Sequence, residues 1–238
     1  MRVRRRTKEH FAVWLSVAVA VLAPLACAHA QSTDDSLRVY AVNILKPITQ
    51  SMTGNGIYLG NGLVITAAHV VGFVALHMNM TTVRIAGLDL PAKVIKQGSF
   101  EQIDLSLLSV DERKLPDSRR TLRMPLCEKP SWVGESVIVA VPEGTARSRI
   151  MSPLWLPPAF QTKFPTLTHS PSLISDVATT GNSGSGVFDA ESKCLLGIMS
   201  FKIQARPASD PGAEPTDIAK YFVPASTIAA FIPAEYRF

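Results

Sequence analysis

The sequence predicts an all-β fold, built either as a sandwich or as a pair of barrels. The first support is a series of short apolar segments separated by glycine, proline and polar residues, a pattern typical of antiparallel strands. The second is the triplet Gly60-Asn61-Gly62 between two of these segments, which is a strong signal for a hairpin turn. The third is the scarcity of helical periodicity, which argues against alternating strands and helices.

Short strands are predicted along most of the chain, and a helix is predicted near its end. The strands lie at 39–43, 56–59, 63–66, 82–85, 92–96, 104–110, 136–141, 186–188 and 195–203, and the helix lies at 225–231. The polar stretch 111–123 predicts a surface linker, so we divide the chain into an N-terminal half at 31–115 and a C-terminal half at 116–238. Two proline-containing stretches, 143–168 and 205–215, are predicted long loops.

Residues 1–30 have the layout of a cleavable secretory signal peptide. Five basic residues precede an apolar run at 11–26, and Ala28-His29-Ala30 predicts cleavage after Ala30. The run is short for a membrane span of about 20 residues, so a transmembrane anchor is the weaker alternative. A lipoprotein signal at Cys27 and a twin-arginine signal are two further alternatives. We therefore expect a secreted or periplasmic protein with no stable membrane insertion once the signal is removed.

The charge of the chain depends strongly on this N-terminal segment. The whole chain carries a net charge of +5, but residues 1–30 hold five of its 24 basic residues and only one of its 19 acidic residues. The remainder therefore has a net charge of about +1, too small to indicate a polyanionic partner. We expect no nucleic-acid partner.

Two cysteines, Cys127 and Cys194, remain after the predicted cleavage site. An even number of cysteines in an oxidising compartment favours a disulfide between them. The alternative is a pair of buried free thiols.

The motif TTGNSGSG at 179–186 surrounds Ser183 with glycines. Glycine allows backbone conformations that aim two N–H groups at one point, as an oxyanion requires. A flexible surface loop of glycine and serine is the alternative. A serine hydroxyl becomes a nucleophile only with a base in hydrogen-bond reach, and that base needs an orienting acceptor.

His69 and Asp104 are the candidates for the base and the acceptor. His69 follows the apolar segment 63–66 and two small residues, where a packed core histidine is the alternative. Asp104 stands at the head of the apolar segment 104–110, where an exposed carboxylate is the alternative. The order His, Asp, Ser along the chain is that of one known Ser-His-Asp triad.

Other catalytic arrangements fit the sequence less well. An α/β-hydrolase needs a histidine after its serine, but the last histidine is His169. His69, His77 and His169 show no metal-ligand spacing, and no helix pattern follows the glycines as a phosphate loop requires. We expect no metal and no cofactor.

The segments GIYLGNGLVITAAHVV at 56–71, DLSLLSV at 104–110 and TTGNSGSGVFDAESKCLLGIMS at 179–200 resemble chymotrypsin-fold serine peptidases. The likeness is strongest to compact, secreted, trypsin-like members from bacteria. The resemblance implies two six-stranded antiparallel β-barrels with the active site between them, to which we add the short C-terminal helix. It implies that His69 is the general base, Asp104 its acceptor and Ser183 the nucleophile. It further implies an oxyanion hole formed by the N–H groups of Gly181 and Ser183.

The resemblance also predicts residues that contact the substrate. Ser200 would support Asp104 and bind the substrate backbone, while Val177, Phe201 and Lys202 would line the specificity pocket. Val177 replaces the acidic residue of trypsin, with Asp176 next to it as the alternative occupant of that position, and Phe201-Lys202 replaces Trp-Gly. The resemblance therefore does not predict a trypsin-like preference. Asn182 replaces the aspartate of zymogen-type members, which argues against activation by a new N-terminus.

The function predicted from these residues is a serine endopeptidase that cleaves polypeptides through an acyl-enzyme. Lys202 and the long loops leave a second interpretation open, a binding protein of the same fold with little or no turnover. An esterase that uses the same triad is a third.

Overall fold

Strands are the main type of secondary structure in the described part of the chain. The structure is a computed structural model that describes residues 34–45, 52–72, 80–158, 161, 171–175, 183–206 and 212–237. The predicted signal peptide at 1–30 lies outside these residues.

The first six strands form a closed antiparallel barrel. They are β1 (Ala41–Leu45), β2 (Met52–Gly60), β3 (Leu63–Thr66), β4 (Met80–Ile85), β5 (Leu88–Gln97) and β6 (Ser106–Val110), in the spatial order β1-β2-β3-β6-β5-β4. Pairing of β1 with β4 closes the barrel. The predicted hairpin joins β2 to β3, and Asn61 and Gly62 adopt the positive φ values of 51° and 73° that a tight turn of this kind requires.

The next six strands form a second antiparallel sheet. They are β7 (Ser136–Val141), β8 (Gly144–Arg149), β9 (Leu173–Ile174), β10 (Gly186–Asp189), β11 (Leu195–Ala205) and β12 (Thr216–Pro224), in the order β8-β7-β10-β11-β12-β9. An isolated bridge between Ile150 and Ile174 brings the two edges of this sheet together. The all-β fold with two six-stranded antiparallel sheets is thus confirmed.

Short α-helices accompany the strands in the described ranges, among them α1 (Asp117–Arg120) and α2 (Ala225–Phe231). The second is the predicted C-terminal helix, with the predicted bounds. Its buried residues Ala225, Ile228 and Phe231 are spaced by three, so one face of the helix packs on the core. Lys96 on β5 donates to the carbonyl oxygen of Phe231 at 2.8 Å, which ties this helix to the first barrel.

One hydrophobic core spans both sheets. Ile57 and Ile65 of the barrel belong to the same buried cluster as Ile138, Phe188 and Ile198 of the second sheet. The two halves therefore pack as one body, with the sequence motifs on either side of their junction. The boundary predicted between residues 115 and 116 falls in the connection from β6 to β7 and stays a prediction.

Three strands differ from the sequence-based expectation, and one of them is the two-residue β9, for which no strand was predicted. β8 lies inside the predicted loop 143–168, and β12 was not predicted as a strand. The sequence of β8, GTARSR, is polar because the strand forms an edge of the sheet, where only Ser148 is buried. β12 interrupts its apolar residues with Lys220, and its position depends on pairing with β11 and β9.

Candidate active site

His69 and Asp104 lie together in the first barrel. The ring nitrogen Nδ1 of His69 is 2.8 Å from Oδ2 of Asp104, and the backbone N–H of His69 donates to Oδ1 at 3.0 Å. An ionised carboxylate only accepts hydrogen bonds, so Nδ1 is the donor and carries a proton. Nε2 on the opposite side of the ring is then left to act as an acceptor.

Small residues and short loops allow His69 and Asp104 to lie close together. His69 lies in a helical turn at 68–72 directly after β3, and Asp104 precedes β6, which pairs with β3. Ala67 and Ala68 are buried and leave room for the loop that carries Asp104. Gln97 on β5 donates to the carbonyl oxygen of Ala68 at 3.0 Å and fixes the start of the turn.

Ser200 on β11 donates a third hydrogen bond to Asp104, after the two from His69. Its hydroxyl donates to Oδ2 at 2.5 Å, so this carboxylate is bound from both halves of the molecule. Burial alone would raise the pKa of Asp104, which is 4% exposed. The hydrogen bonds from the His69 ring, the Ser200 hydroxyl and the His69 backbone outweigh burial, so the pKa lies below its usual value. Asp104 therefore carries a negative charge at neutral pH.

Ser183 lies in the turn before β10, held by backbone contacts from both sheets. Its carbonyl oxygen accepts from the backbone N–H of Asn55 on β2 at 2.9 Å, and Gly184 donates to Met199 on β11 at 2.8 Å. Gly184 has a φ of 86°, and a Cβ there would overlap the carbonyl oxygen of Asn55. Glycine is therefore required at 184 for both conformation and space.

The hydroxyl of Ser183 donates to the carbonyl oxygen of Ser200 at 3.0 Å. A hydroxyl has one hydrogen to donate, so in this conformation it does not donate to His69. His69 nevertheless remains accessible, with its side chain 35% exposed. Rotation about χ1 moves a serine hydroxyl between staggered positions without any change of the backbone.

A buried polar chain that the sequence did not reveal connects Ser183 to the first barrel. Asn55 donates through Nδ2 to Oγ of Ser185 at 3.2 Å, and Asn43 donates to Oδ1 of Asn55 at 3.2 Å. Asn43 also donates to Oε1 of Glu143 at 3.2 Å. Asn55 is 2% exposed and Ser185 fully buried, so these bonds form away from bulk water. In the sequence, Asn43 ends one predicted strand and Asn55 directly precedes another, and neither position was singled out.

A row of aromatic rings extends from His69 along the second sheet. The ring centroids are 5.7 Å apart for His69 and Phe100, 5.8 Å for Phe100 and Phe201, and 5.0 Å for Phe201 and Tyr221. Phe100 is 52% exposed, so part of this row is open to an incoming ligand. The sequence predicted Phe201 but missed Phe100 and Tyr221, which only tertiary contacts align.

Lys202 is the last predicted site residue in the described part of the chain. It is exposed on β11 and donates to Oδ2 of Asp217 on β12 at 2.7 Å. Lys220, which the sequence did not single out, is its cross-strand neighbour and is buried.

The predicted residues Val177 and Gly181, together with Asn182, lie outside the described residues, so the predicted oxyanion hole stays a prediction.

Cys127 and Cys194 form a disulfide. The disulfide links the connection between the sheets to the start of β11, where the backbone N–H of Cys127 also donates to the carbonyl oxygen of Leu195 at 3.0 Å.

Within the described ranges, no group of three or more histidine, cysteine or acidic side chains is arranged to hold a metal ion. No helix in the described part of the chain has the length and hydropathy needed to cross a membrane.

The sequence also matches a family model, the trypsin-like peptidase domain, over residues 54–198. The chain belongs to this family. The matched stretch runs from the strand that holds Asn55 to the strand that carries Ser200 and so includes His69, Asp104 and Ser183. The resemblance inferred from the three sequence motifs is confirmed. No curated protein matches the chain.

Solved structures with the same fold include bacterial proteases. The Rv3671c protease from M. tuberculosis, in its active form, superposes with a TM-score of 0.54 at 20% identity, covering 82% of this chain and 80% of that one. The MamO protease domain from Magnetospirillum magneticum gives 0.54 at 18% identity, with 83% and 97% covered. An HtrA-type protease solved with a tripeptide gives 0.55 at 18% identity, with 85% and 61% covered. At these identities the likeness concerns the fold alone.

Proposed function

We propose that this trypsin-like peptidase-domain protein is a serine endopeptidase that works through an acyl-enzyme. The observation that carries the proposal is the hydrogen-bonded pair of His69 and Asp104, which Ser200 links to Ser183. Asp104 accepts from His69 at 2.8 Å and from Ser200 at 2.5 Å, while the carbonyl oxygen of Ser200 accepts from Ser183 at 3.0 Å. A base, its acceptor and a nucleophile thus share one hydrogen-bonded cluster.

In the first step, Ser183 rotates from Ser200 towards His69 and attacks the carbonyl carbon of the scissile peptide bond. Nε2 of His69 takes the hydroxyl proton as the Oγ–C bond forms. Asp104 holds the ring through Nδ1 and stabilises the imidazolium that results. His69 then gives the proton to the leaving amine, the C–N bond breaks, and the acyl group stays on Ser183.

In the second step, water releases the acyl group. His69 takes a proton from the water, whose oxygen attacks the acyl carbon. The proton then returns to Oγ of Ser183 as the ester bond breaks, which regenerates the enzyme. In both steps the oxyanion is held by the N–H groups of Gly181 and Ser183, a type of contact worth about 10²–10³ in rate per donor.

The substrate is proposed to be a polypeptide bound along β11. When Ser183 turns towards His69, the carbonyl oxygen of Ser200 becomes an acceptor for a substrate N–H group. The exposed Phe100 and its neighbour Phe201 offer an apolar surface beside His69 for a substrate side chain. Val177 and Lys202 are proposed to contact the substrate near the same strand.

Export is proposed as the natural route of this protein. The disulfide between Cys127 and Cys194 supports an oxidising compartment. The basic and apolar segments of residues 1–30 support a cleavable signal.

A binding protein with little or no turnover is the second candidate function. The hydrogen bond from Ser183 to Ser200 favours the binding protein, because this bond engages the hydroxyl proton that His69 would have to accept. The two candidates differ in whether the hydroxyl of Ser183 can leave this acceptor.

A fluorophosphonate probe distinguishes the two candidates directly, since it reacts only with an activated serine. Protein expressed from the full chain and purified after export is expected to be labelled at Ser183 at pH 7–8 and to cleave unfolded casein. The variant Ser183→Ala should fold with the same circular dichroism spectrum but lose both signals. Correctly folded wild-type protein that takes up no probe would contradict the peptidase and favour the binding protein.

A further inference from the structure

An apolar cavity lies between the C-terminal segment that contains α2 and the connection from β6 to β7. Its volume is about 620 Å³, within the range typical of ligand-binding cavities. Most of its described walls are apolar, formed by Leu59, Met124, Pro125, Leu126, Ala229 and Ile232. The proposed catalytic residues are not among its described lining, so the cavity has no part in the proposed reaction.

The cavity lies towards the other end of β2 from the proposed nucleophile. Asn55, which holds the turn after Ser183, is four residues before Leu59 on β2, a distance of about 13 Å along a strand. The backbone N–H of Met124 donates to the carbonyl oxygen of Leu59 at 3.0 Å. Met124 and Ile232 both belong to the core cluster shared by the two sheets, so the walls of this cavity are fixed by the fold itself.

Two arginines, Arg123 and Arg237, also line the cavity. Nη1 of Arg123 donates to the carbonyl oxygens of Arg120 and Leu122, each at 2.6 Å, and Nε of Arg237 donates to that of Ile232 at 3.0 Å. Within the described ranges neither arginine forms an ion pair with a carboxylate. Each guanidinium is permanently charged and has five N–H groups, so donors remain on both for an anionic ligand.

The other polar groups of the lining indicate what kind of anion fits. The hydroxyl of Tyr236 is one further donor, and apart from it no described lining side chain offers an oxygen acceptor. The acidic residues nearest along the chain, Glu128 and Glu235, are not part of the described lining. A polypeptide C-terminus would bring backbone N–H groups that need acceptors. A ligand whose polar atoms are confined to one anionic end fits these walls better.

We propose that this cavity binds an alkyl carboxylate, such as a medium-chain fatty acid. The apolar chain lies against Leu59 and Ile232, and the carboxylate binds Arg123 and Arg237. A guanidinium matches a carboxylate in geometry and donates charge-assisted hydrogen bonds to it. Each methylene that leaves water strengthens binding about fourfold. This inference goes beyond the proposed peptidase function and does not depend on it.

Equilibrium dialysis of protein expressed from the full chain and purified after export measures the binding, with decanoate as the probe below its micelle-forming concentration. One site with a Kd of about 10–100 µM is expected. Octanoate should bind about tenfold more weakly, because two methylenes are missing. Decyltrimethylammonium has the same chain with a cationic end and should bind at least about tenfold more weakly than decanoate.

Three results of this comparison would overturn the proposal. They are absence of decanoate binding, equal affinity for decanoate and decyltrimethylammonium, and tighter binding of a short peptide with an apolar C-terminal residue. The last result would mean that the cavity takes a polypeptide.

Two neighbouring alanines of α2 provide a matched pair of variants that locates the site. Ala229 and Ala230 are both exposed, but only Ala229 belongs to the described lining. Ala229→Trp fills the cavity without changing any charge and should weaken decanoate binding at least about tenfold. Ala230→Trp adds the same side chain outside the cavity and should bind as the wild type does. Equal effects of the two substitutions would contradict the location.

The arginines are tested by variants that keep an apolar side chain of similar length. Arg123→Met and Arg237→Met should each weaken decanoate binding about tenfold. Arg120→Met is the control, because Arg120 lies on the same connection and pairs with Asp117 but is not part of the described lining. Unchanged affinity in both lining variants, or an equal loss in Arg120→Met, would overturn the assignment. These variants also decide the matter if Ala229→Trp does not fold.

Failure of this inference is distinguishable from failure of the proposed function. Ser183→Ala should bind decanoate as tightly as the wild type does, and a loss of binding in this variant would place the ligand in the candidate active site instead. Protein that takes up the fluorophosphonate probe but does not bind decanoate remains a peptidase. Folded protein that binds decanoate but takes up no probe contradicts the peptidase alone.

Discussion

Asn55 donates through its side-chain amide to Oγ of Ser185 at 3.2 Å, across the junction between the barrel and the second sheet. Its backbone N–H donates to the carbonyl oxygen of Ser183 at 2.9 Å. A single residue of β2 thus holds the chain on both sides of Gly184, directly after the proposed nucleophile. Thr66 on β3 donates to the carbonyl oxygen of Asn55 at 2.5 Å and fixes this residue in turn.

Asn55→Ala is expected to slow the reaction of Ser183 as well as to destabilise the fold. Loss of a buried hydrogen bond should lower the free energy of unfolding by about 1–3 kcal/mol. A small displacement of the nucleophile should reduce the rate of fluorophosphonate labelling by about 10- to 100-fold. Urea unfolding and labelling kinetics measure the two effects separately.

Asn43→Ala is the matched control, because it shortens the same polar chain one residue farther from Ser183. Its unfolding free energy should fall by a similar amount, with a smaller loss of labelling rate. Equal losses of labelling in both variants would mean that Asn55 acts through stability alone.

Asp104→Asn is expected to abolish most turnover while leaving Ser183 in place. The amide cannot accept from the His69 ring and from Ser200 as the carboxylate does, so His69 loses its orientation and its counter-charge. A fall in kcat of about 10⁴-fold is expected, as when the acceptor of a Ser-His-Asp triad becomes an amide. Steady-state kinetics at pH 8 measure it.

The same substitution at Asp89 provides the control, since Asp89 is exposed and pairs with Arg84 on strands β4 and β5 of the barrel. Its turnover should match that of the wild type. A loss in Asp89→Asn as large as that in Asp104→Asn would refute the special role of Asp104.

Glu135 is expected to make the fold less stable as pH rises from 5 to 8. Burial raises its pKa to about 7, with a further contribution from the hydrogen bond and charge of Asp189, while the backbone N–H of Trp132 opposes the shift. The folded state therefore holds a proton that the unfolded chain releases near pH 4.5. The contribution of Glu135 to the stability of the fold is complete below pH 4.5 and is lost as pH rises through about 7.

The expected loss across this range is about 1–2 kcal/mol, because Glu135 lines an open cavity where solvent screens its charge. Urea unfolding at a series of pH values measures it. The variant Glu135→Gln should remove this part of the pH dependence. Asp189 does not interfere, since its pKa is lowered and its contribution changes only in more acidic solution.

Removal of the disulfide is expected to lower stability without touching the proposed active site. The bond closes a separation of 67 residues, for which chain entropy gives a loss of about 4 kcal/mol. The paired variant Cys127→Ser with Cys194→Ser, compared with the wild type in urea, measures this loss. At low urea it should still take up the fluorophosphonate probe, and failure to do so in folded protein would show that the bond also positions Ser183.

Local sequence was sufficient to predict much of the fold. The hairpin at Gly60-Asn61-Gly62 and the helix Ala225–Phe231 follow from turn chemistry and apolar spacing, which act over a few residues. β8 and β12 escaped prediction, because an edge strand exposes polar side chains and a strand with a buried lysine lacks an apolar pattern. Their place is set by partners that are distant in sequence.

The sequence by itself determined the three motifs around His69, Asp104 and Ser183, their order and the family they indicate. Residue type and short spacing define such motifs, so they can be recognised without coordinates. The resemblance also predicted that Ser200 supports Asp104, but only the tertiary structure decided that the carbonyl oxygen of Ser200 accepts from Ser183, that Asn55 holds the turn at Gly184, and that Lys220 lies beside Lys202. These contacts join residues 17 to 130 positions apart, and they form only once both sheets have closed around a common core.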